Sequence, residues 1–499
     1  MTLRLVRQNY ANAPAKSIDA DTHAPQPWQR PRPLESSHHS VTTRSETVVG
    51  VLASALLVTA LLLGGGTRNF LFSDLLVQLL AAVLLIYGLR RLRWQDLDQG
   101  ARQYLQLVAL VIALPLLQLV PLPSALVSWF PGRSELWAGR AALGLEVPTW
   151  VPWSLDPNAT LAGVRGLLPA SAMALLATQL GPVWQKRLAV IVVAVAVLMV
   201  PIGIAQVAQG PHSTLRPYVP TNLHDAVGLF ANRNHYASLL ATALVFIFGG
   251  LLLNARGGRS RSARVLQMIG WMLLGAILLL GIVLSRSRAG VGLAGLVSIA
   301  MLLVAFTRRR EHPETFRWFL GFVVFGGLIA FQFGFLAIAD RFTQAGDQRW
   351  DVTAGVLAVS SNYSWLGTGI GSFPAVYAAH EPIELVGDKI LNHAHNDWAE
   401  LWVELGVALL AVAALFAWWL SSRARELIAS GSLAQSSQAL RLTGIGVLLT
   451  LSVHSLVDYP LRTTAVSVVF ALGGALACCR LEPASSRPRR DSRRAVVGA

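Results

Sequence analysis

The segment Leu391-Asn392-His393-Ala394-His395-Asn396-Asp397-Trp398 sets two imidazoles, an amide and a carboxylate just ahead of an apolar run. Histidine is the side chain whose unperturbed pKa lies near neutrality, so it can take a proton from a hydroxyl without help from a metal. His393 and His395 stand two apart and would not share a helical face. With no carboxylate pair at an Asp-x-Asp spacing in the outer loops, no metal site is expected. A second pattern is Leu284-Ser285-Arg286-Ser287-Arg288-Ala289-Gly290, where two like charges repel unless an anion lies between them. Guanidinium forks suit phosphate oxygens, and a diphosphate is the anion that fits. Arg233, in Gly228-Leu229-Phe230-Ala231-Asn232-Arg233-Asn234-His235, and Arg349, in Arg349-Trp350-Asp351, are further cations to be explained. Their structural alternative is to reach lipid phosphates or to pair with Asp347, Asp351 or Asp458.

The elements that must position these groups are membrane helices. Of the 499 residues 54% are apolar and only 13% charged, and the apolar residues come in blocks of about 20, the length that crosses a bilayer. Spans are expected near 48–66, 70–89, 104–121, 159–180, 188–208, 236–253, 265–284, 289–306, 318–338, 401–420, 442–459 and 463–479. Clusters such as Arg90, Arg91 and Arg93, Lys186 and Arg187, Arg256 to Arg264, and Arg308 to Arg310 fall in alternate loops. By the positive-inside rule those loops and both termini are cytoplasmic. The same rule accounts for the net charge of +15, so nucleic acid is not implied. Residues 1–45 read as a disordered tail without a cleavable signal, 46–480 as the membrane domain and 481–499 as a basic tail.

Two long loops, 122–158 and 339–400, then face outward. The first carries Trp129, Trp137, Trp150 and Trp153 among prolines, which suits the bilayer interface. The second is long enough to form a lid or a site. Its Gly367, Gly369 and Gly371 lack the strand and helix of a nucleotide-binding loop, and read instead as tight turns close to a ligand or a neighbouring helix. Glu404, at the start of the tenth span, is either a functional carboxylate or a solvated one. Asp458 follows His454 by four residues, on the same helical face near the outer end of the eleventh span, and with Tyr459 and Arg462 either orders a site or caps a helix.

Taken in order, these segments resemble the superfamily of bacterial O-antigen ligases and O-antigen or exopolysaccharide polymerases. The resemblance rests on the Gly228 to His235 segment, the Leu284 to Gly290 turn, the Gly367 to Phe373 stretch, the pair His395-Asn396 with Gly406 ten positions on, and the closing His454-Ser455-Leu456-Val457-Asp458. It spans residues 220 to 465, and the earlier spans agree only in number and hydropathy. The resemblance implies an all-α polytopic membrane fold of about twelve helices, GT-C-like, in the bacterial inner membrane. It implies a glycosyltransferase that needs no cofactor and uses an undecaprenyl-diphosphate-linked oligosaccharide as donor and a glycan or lipid A-core sugar as acceptor. A chain-length regulator or an export protein would be its partner. His395 matches the family's general base, and Arg233 and Arg288 match the arginines that hold the diphosphate, with Arg286 the alternative within its turn. Asn396 or Asp397 would fix the tautomer of His395, and His393 is the competing base. Leu410 stands where the ligase pattern favours a small or polar residue, which tilts the reading toward a polymerase. A non-catalytic flippase or exporter of lipid-linked sugars is the other class, but the polar residues cluster at one face and no broken-helix repeat is visible.

Overall fold

The computed structural model describes residues 44–68, 71–219, 222–254, 260–307, 309–310, 313–314, 316–328, 348–363, 365–381, 383, 386, 390–430 and 436–480. The expected tails lie almost wholly outside the described residues, as does the second half of the expected span 318–338. Eight described helices are long and apolar enough to cross a membrane: α1 (Arg44–Leu63), α2 (Phe72–Arg91), α3 (Gln99–Gln118), α6 (Pro157–Thr178), α7 (Pro182–Gln209), α8 (Arg233–Asn254), α9 (Arg261–Leu284) and α10 (Arg288–Thr307). The chain is an all-α polytopic membrane protein. Its other apolar stretches form α11 (Phe316–Leu328), α15 (Ala408–Ala429), α16 (Ser436–His454) and α17 (Thr464–Ala477).

Local chemistry sets several helix starts. The Asp98 carboxylate accepts from the Ala101 N–H at 2.7 Å to cap α3, and Asp156 accepts from Ala159 at 3.0 Å ahead of Pro157, the first residue of α6. Both satisfy an orphan N–H of a first turn, and proline there forfeits no hydrogen bond. Helices α8 and α17 form the centre of the bundle and are buried over almost their whole described length. Polar groups at this depth find partners, as burial requires. Tyr104 on α3 donates to the Ala471 carbonyl of α17 at 2.8 Å, and Trp419 on α15 donates to the Gly100 carbonyl at 3.0 Å.

The expected span 401–420 is two helices. The nine-residue α14 (Asp397–Leu405) stops at Gly406, whose φ of +57° ends the helix, and α15 begins afresh at Ala408. A left-handed residue at a helix terminus is the usual place for glycine. Likewise α16 ends at His454, so Asp458 lies in the following turn and not on the helix face expected for it. The two long segments expected to face outward are not structureless. Strands β1 (Pro121–Pro123) and β2 (Trp150–Pro152) pair antiparallel and flank α4 (Ser124–Val127) and α5 (Arg133–Ala142). The second segment holds α12 (Gln348–Ser360) and α13 (Phe373–His380).

The helix directions separate the two kinds of basic residue. Arg90 and Arg91 end α2, Lys186 and Arg187 begin α7, and Arg309 and Arg310 follow α10. Arg233 and Arg288 begin α8 and α10, at the opposite ends of their helices, and the histidine segment precedes α14.

Candidate active site

His395 and Arg286 are the two residues other than glycine with positive φ, +52° and +49°, among the described residues. Such a conformation is uncommon outside glycine and costs about 1 to 3 kcal/mol, so it persists where the surroundings enforce it. Both residues are ones whose sequence context points to chemistry.

His395 sits over a buried carboxylate. Its Nδ1 is 3.6 Å from Asp458 Oδ1, and its ring stands edge-on to Tyr459 with centroids 5.0 Å apart. The same carboxylate is 3.8 Å from Nε2 of the fully buried His235, whose Nδ1 meets the Thr463 hydroxyl at 2.7 Å. Burial would raise the Asp458 carboxyl, but the imidazoles of His235 and His395 beside it, with His454 adding to them, hold it well below the ordinary carboxylate range. Asp458 is therefore an anion facing one nitrogen of His395, which leaves Nε2 to face a substrate. Exposure separates the candidates: the side chain of His395 is 30% exposed, that of His393 14%, and His235 is sealed. His454 bonds to Ser238 of α8 through Nδ1 and is buried too.

A hydrogen-bonded chain joins this carboxylate to the arginine turn. Ser287 Oγ, between Arg286 and Arg288, donates to Asn234 Oδ1 at 2.7 Å, and Asn234 Nδ2 donates to Asp458 Oδ2. Asn234 is the neighbour of Arg233. Arg233 pairs with Asp225, and Arg286 Nη1 lies 3.9 Å from the other oxygen of that carboxylate. Arg286 thus shares a partner with Arg233, and Arg288 stands, partly buried, at the first position of α10.

His393 belongs to a second cluster. Its Nδ1 donates to Glu400 Oε1 at 2.9 Å, and the Ala394 N–H donates to Glu400 Oε2 at 2.9 Å. Arg462 reaches three carboxylates: Glu404 at 2.7 Å, Glu400 at 3.4 Å and Asp397 at 3.6 Å. Burial would raise Glu400, but Arg462 and His393 hold it down to about 2. Burial instead pushes Asp397 up to about 7, against the pull of Arg462 and a 2.8 Å hydrogen bond donated by Ser455. His393, Asp397, Glu400 and Arg462 close one end of a cavity of about 640 Å³, whose body is lined by apolar side chains including Leu107, Val108, Val111, Phe416 and Phe470.

The glycine stretch serves this cluster. Gly367 has φ +70°, and a Cβ there would lie 2.3 Å from the Glu404 carbonyl oxygen. The Gly371 N–H donates to the Glu404 carboxylate at 2.7 Å. These are close approaches to a neighbouring helix, one of the two uses expected for the glycines. The segment from Pro121 to Pro152 is fastened to them by Arg133, which is buried and donates to the carbonyls of Trp153 at 2.9 Å and Gly367 at 3.0 Å.

The tautomer of His395 is governed otherwise than expected. Asn396 is occupied in capping α14, its Oδ1 accepting from Ala399 at 3.1 Å, and Asp397 faces Ser455 and Arg462. Asp458 takes the place facing Nδ1 because the turn after α16 folds under the histidine segment; the Asp397 N–H donates to the Ser455 and Asp458 carbonyls. Glu404 is neither solvated nor directed at a substrate but is committed to Arg462. The side chain of Arg349, within α12, and Asp347 lie outside the described residues. Sequence reasoning passes over Asp225, Asn234, Glu400 and Arg133. Only Asp225 carries a signal, as an acid eight residues before Arg233 in a loop otherwise notable for cations.

Residues 273–414 match the family model described as O-antigen ligase. The matched stretch runs from α9 into α15 and contains Arg286, Arg288, His393, His395 and Glu404. Over this stretch the chain is similar to that membrane-embedded family, and the match supports the resemblance to the O-antigen ligase and polymerase superfamily. No curated protein matches the chain.

Proposed function

We propose that this protein is a metal-independent, inverting glycosyltransferase of the bacterial inner membrane that takes a glycan from an undecaprenyl-diphosphate donor at the periplasmic face. The observation that carries this reading is the buried chain Ser287, Asn234, Asp458, which ties the arginine turn to the histidine segment. It brings a cationic holder for a leaving diphosphate and a general base into one rigid framework. The acceptor oxygen attacks the anomeric carbon from the face opposite the diphosphate, and its proton passes to Nε2 of His395. The bond from the anomeric carbon to the phosphate oxygen breaks, its electron pair leaving with the lipid diphosphate. Arg233, Arg286 and Arg288 neutralise the charge that develops there, the work a metal ion performs in many phosphate-handling sites. Asp458 holds the imidazole in orientation and stabilises the imidazolium. The apolar cavity beside His393 is suited to the lipid portion of a membrane-borne substrate. Joining repeat units is preferred over transfer to a lipid A-core sugar, on the strength of Leu410.

Two experiments bear on this directly. Reporter fusions after Arg264 and Arg317 should read cytoplasmic, and fusions within 209–230 and 345–395 periplasmic; a cytoplasmic reading for the His395 segment removes the mechanism. Alanine at Arg233 or Arg288 should abolish product with the protein still inserted, and lysine should rescue poorly because the bidentate fork is lost. Full turnover in both alanine variants would reduce these residues to lipid anchors. Assays offering the purified protein a second lipid-linked repeat unit or a lipid A-core acceptor separate polymerase from ligase.

A further inference from the structure

The clamp already contains an anion of its own. Asp225 is buried, 4% exposed, and its two carboxylate oxygens face two different arginines, Arg233 from the start of α8 and Arg286 from the turn between α9 and α10. Arg286 is held there in a left-handed backbone conformation and is 49% exposed, so its side chain remains accessible to an incoming group. The loop that carries Asp225 is anchored through its main chain. Arg216 donates to the backbone carbonyls of Asp225 at 3.1 Å, Asn222 at 3.3 Å and Leu223 at 2.8 Å, pinning the loop through its main chain. The Ala226 N–H bonds to the Leu284 carbonyl at 3.2 Å and fastens the same loop to the end of α9.

We propose that Asp225 is an exchange anion for the donor site: it holds the two guanidiniums together when the site is empty, gives them up to the lipid diphosphate, and reclaims them to expel the product. The inference rests on the assignment of these arginines to the diphosphate. Transfer converts a glycosyl diphosphate into a free terminal phosphate, which carries more negative charge and binds arginines more strongly. Without a competing anion the product would be the tightest ligand of the site, and its release would limit turnover. A carboxylate anchored within reach of both arginines opposes this by charge repulsion with the bound product and by stabilising the vacated clamp. One like charge in such partly solvated surroundings alters anion affinity by about tenfold.

The test is direct binding of farnesyl diphosphate and of inorganic diphosphate to the full-length protein in nanodiscs, alongside steady-state turnover. Asp225→Asn should bind farnesyl diphosphate about tenfold more tightly and release it more slowly, with kcat and donor KM falling together, whereas Asp225→Glu should behave as the wild type. Because Arg216 holds the loop through main-chain carbonyls, these variants keep the anchor; Asp225→Ser provides a second neutral variant and should shift in the same direction. Unchanged or weaker binding in both neutral variants would overturn the inference and make Asp225 a scaffold for the arginines. If the wild type binds no diphosphate, or binds it equally well after Arg233→Ala and Arg286→Ala, the clamp reading fails and the exchange role falls with it. Arginine-dependent binding that ignores Asp225 removes the exchange role alone.

Discussion

The His395→Ala protein should insert and bind its lipid diphosphate donor, with glycan transfer reduced by about 10²- to 10⁴-fold, the usual worth of a positioned general base. The expectation follows from exposure and geometry together: His395 is the most open of the imidazoles gathered around Asp458 and Tyr459, and its Nδ1 faces a carboxylate kept ionised by its neighbours. Asp458→Asn should lower kcat by about 10²-fold with donor affinity nearly unchanged, since it removes the orienting charge and not a substrate contact. Chelators should have no effect. Wild-type turnover in His395→Ala, a loss seen only in His393→Ala, or inhibition by EDTA that added divalent metal reverses, would each show that the base lies elsewhere.

Arg462→Ala should produce the largest loss of stability of any single substitution near the site, about 3 to 5 kcal/mol, the cost typical of removing one partner from a buried ionic cluster. Glu400, Glu404 and Asp397 share this one guanidinium, and each is buried. The deficit should depend on pH in a defined direction. A carboxyl whose pKa in the folded state lies above its unfolded value adds relative stability below the unfolded pKa, and that contribution disappears as pH rises through the folded one. Asp397 is already at about 7 against an ordinary value of 3.8, so its penalty develops between about pH 4 and pH 7. With Arg462 removed, the remaining carboxylates lose the cation that favours their charged form. Thermal melts in detergent should therefore show the variant closest to wild type near pH 5 and furthest from it near pH 8. A deficit that is uniform across this range, or below about 1 kcal/mol, would mean that solvent already screens the cluster. Arg462→Lys should recover part of the stability, since it restores the charge without the fork that reaches several carboxylates.

Much of the membrane scaffold is legible in the pattern of apolar residues. An apolar run of sufficient length must be helical in a bilayer, where backbone groups can bond only within their own segment, so hydropathy marks the spans. The departures lie at helix ends. Gly406 divides α14 from α15 within one apolar run, and the turn beyond His454 takes Asp458 off the helix. A hydropathy profile averages over about 19 residues and so passes across both breaks.

The types of chemical group are also present in the sequence: an imidazole, arginines in a tight turn, a carboxylate near the outer end of the eleventh expected span. Their assignment to one another is not. Asn234 and Asp458 are 224 residues apart, Ser287 and Asn234 are 53 apart, and Arg462 meets Glu404 across 58 residues. Contacts of this kind follow no period and depend on which helix ends the packing of α8, α9, α14 and α16 brings together. By itself the sequence determined a polytopic helical protein with its reactive groups gathered near certain span ends, because hydrophobic burial and backbone satisfaction act locally along the chain. Only the tertiary structure decided that Asp458 rather than Asn396 or Asp397 faces His395, that Asp225 joins Arg233 to Arg286, and that Arg462 neutralises three carboxylates. A buried charge must find its partner in space, and distance along the chain places no limit on where that partner comes from.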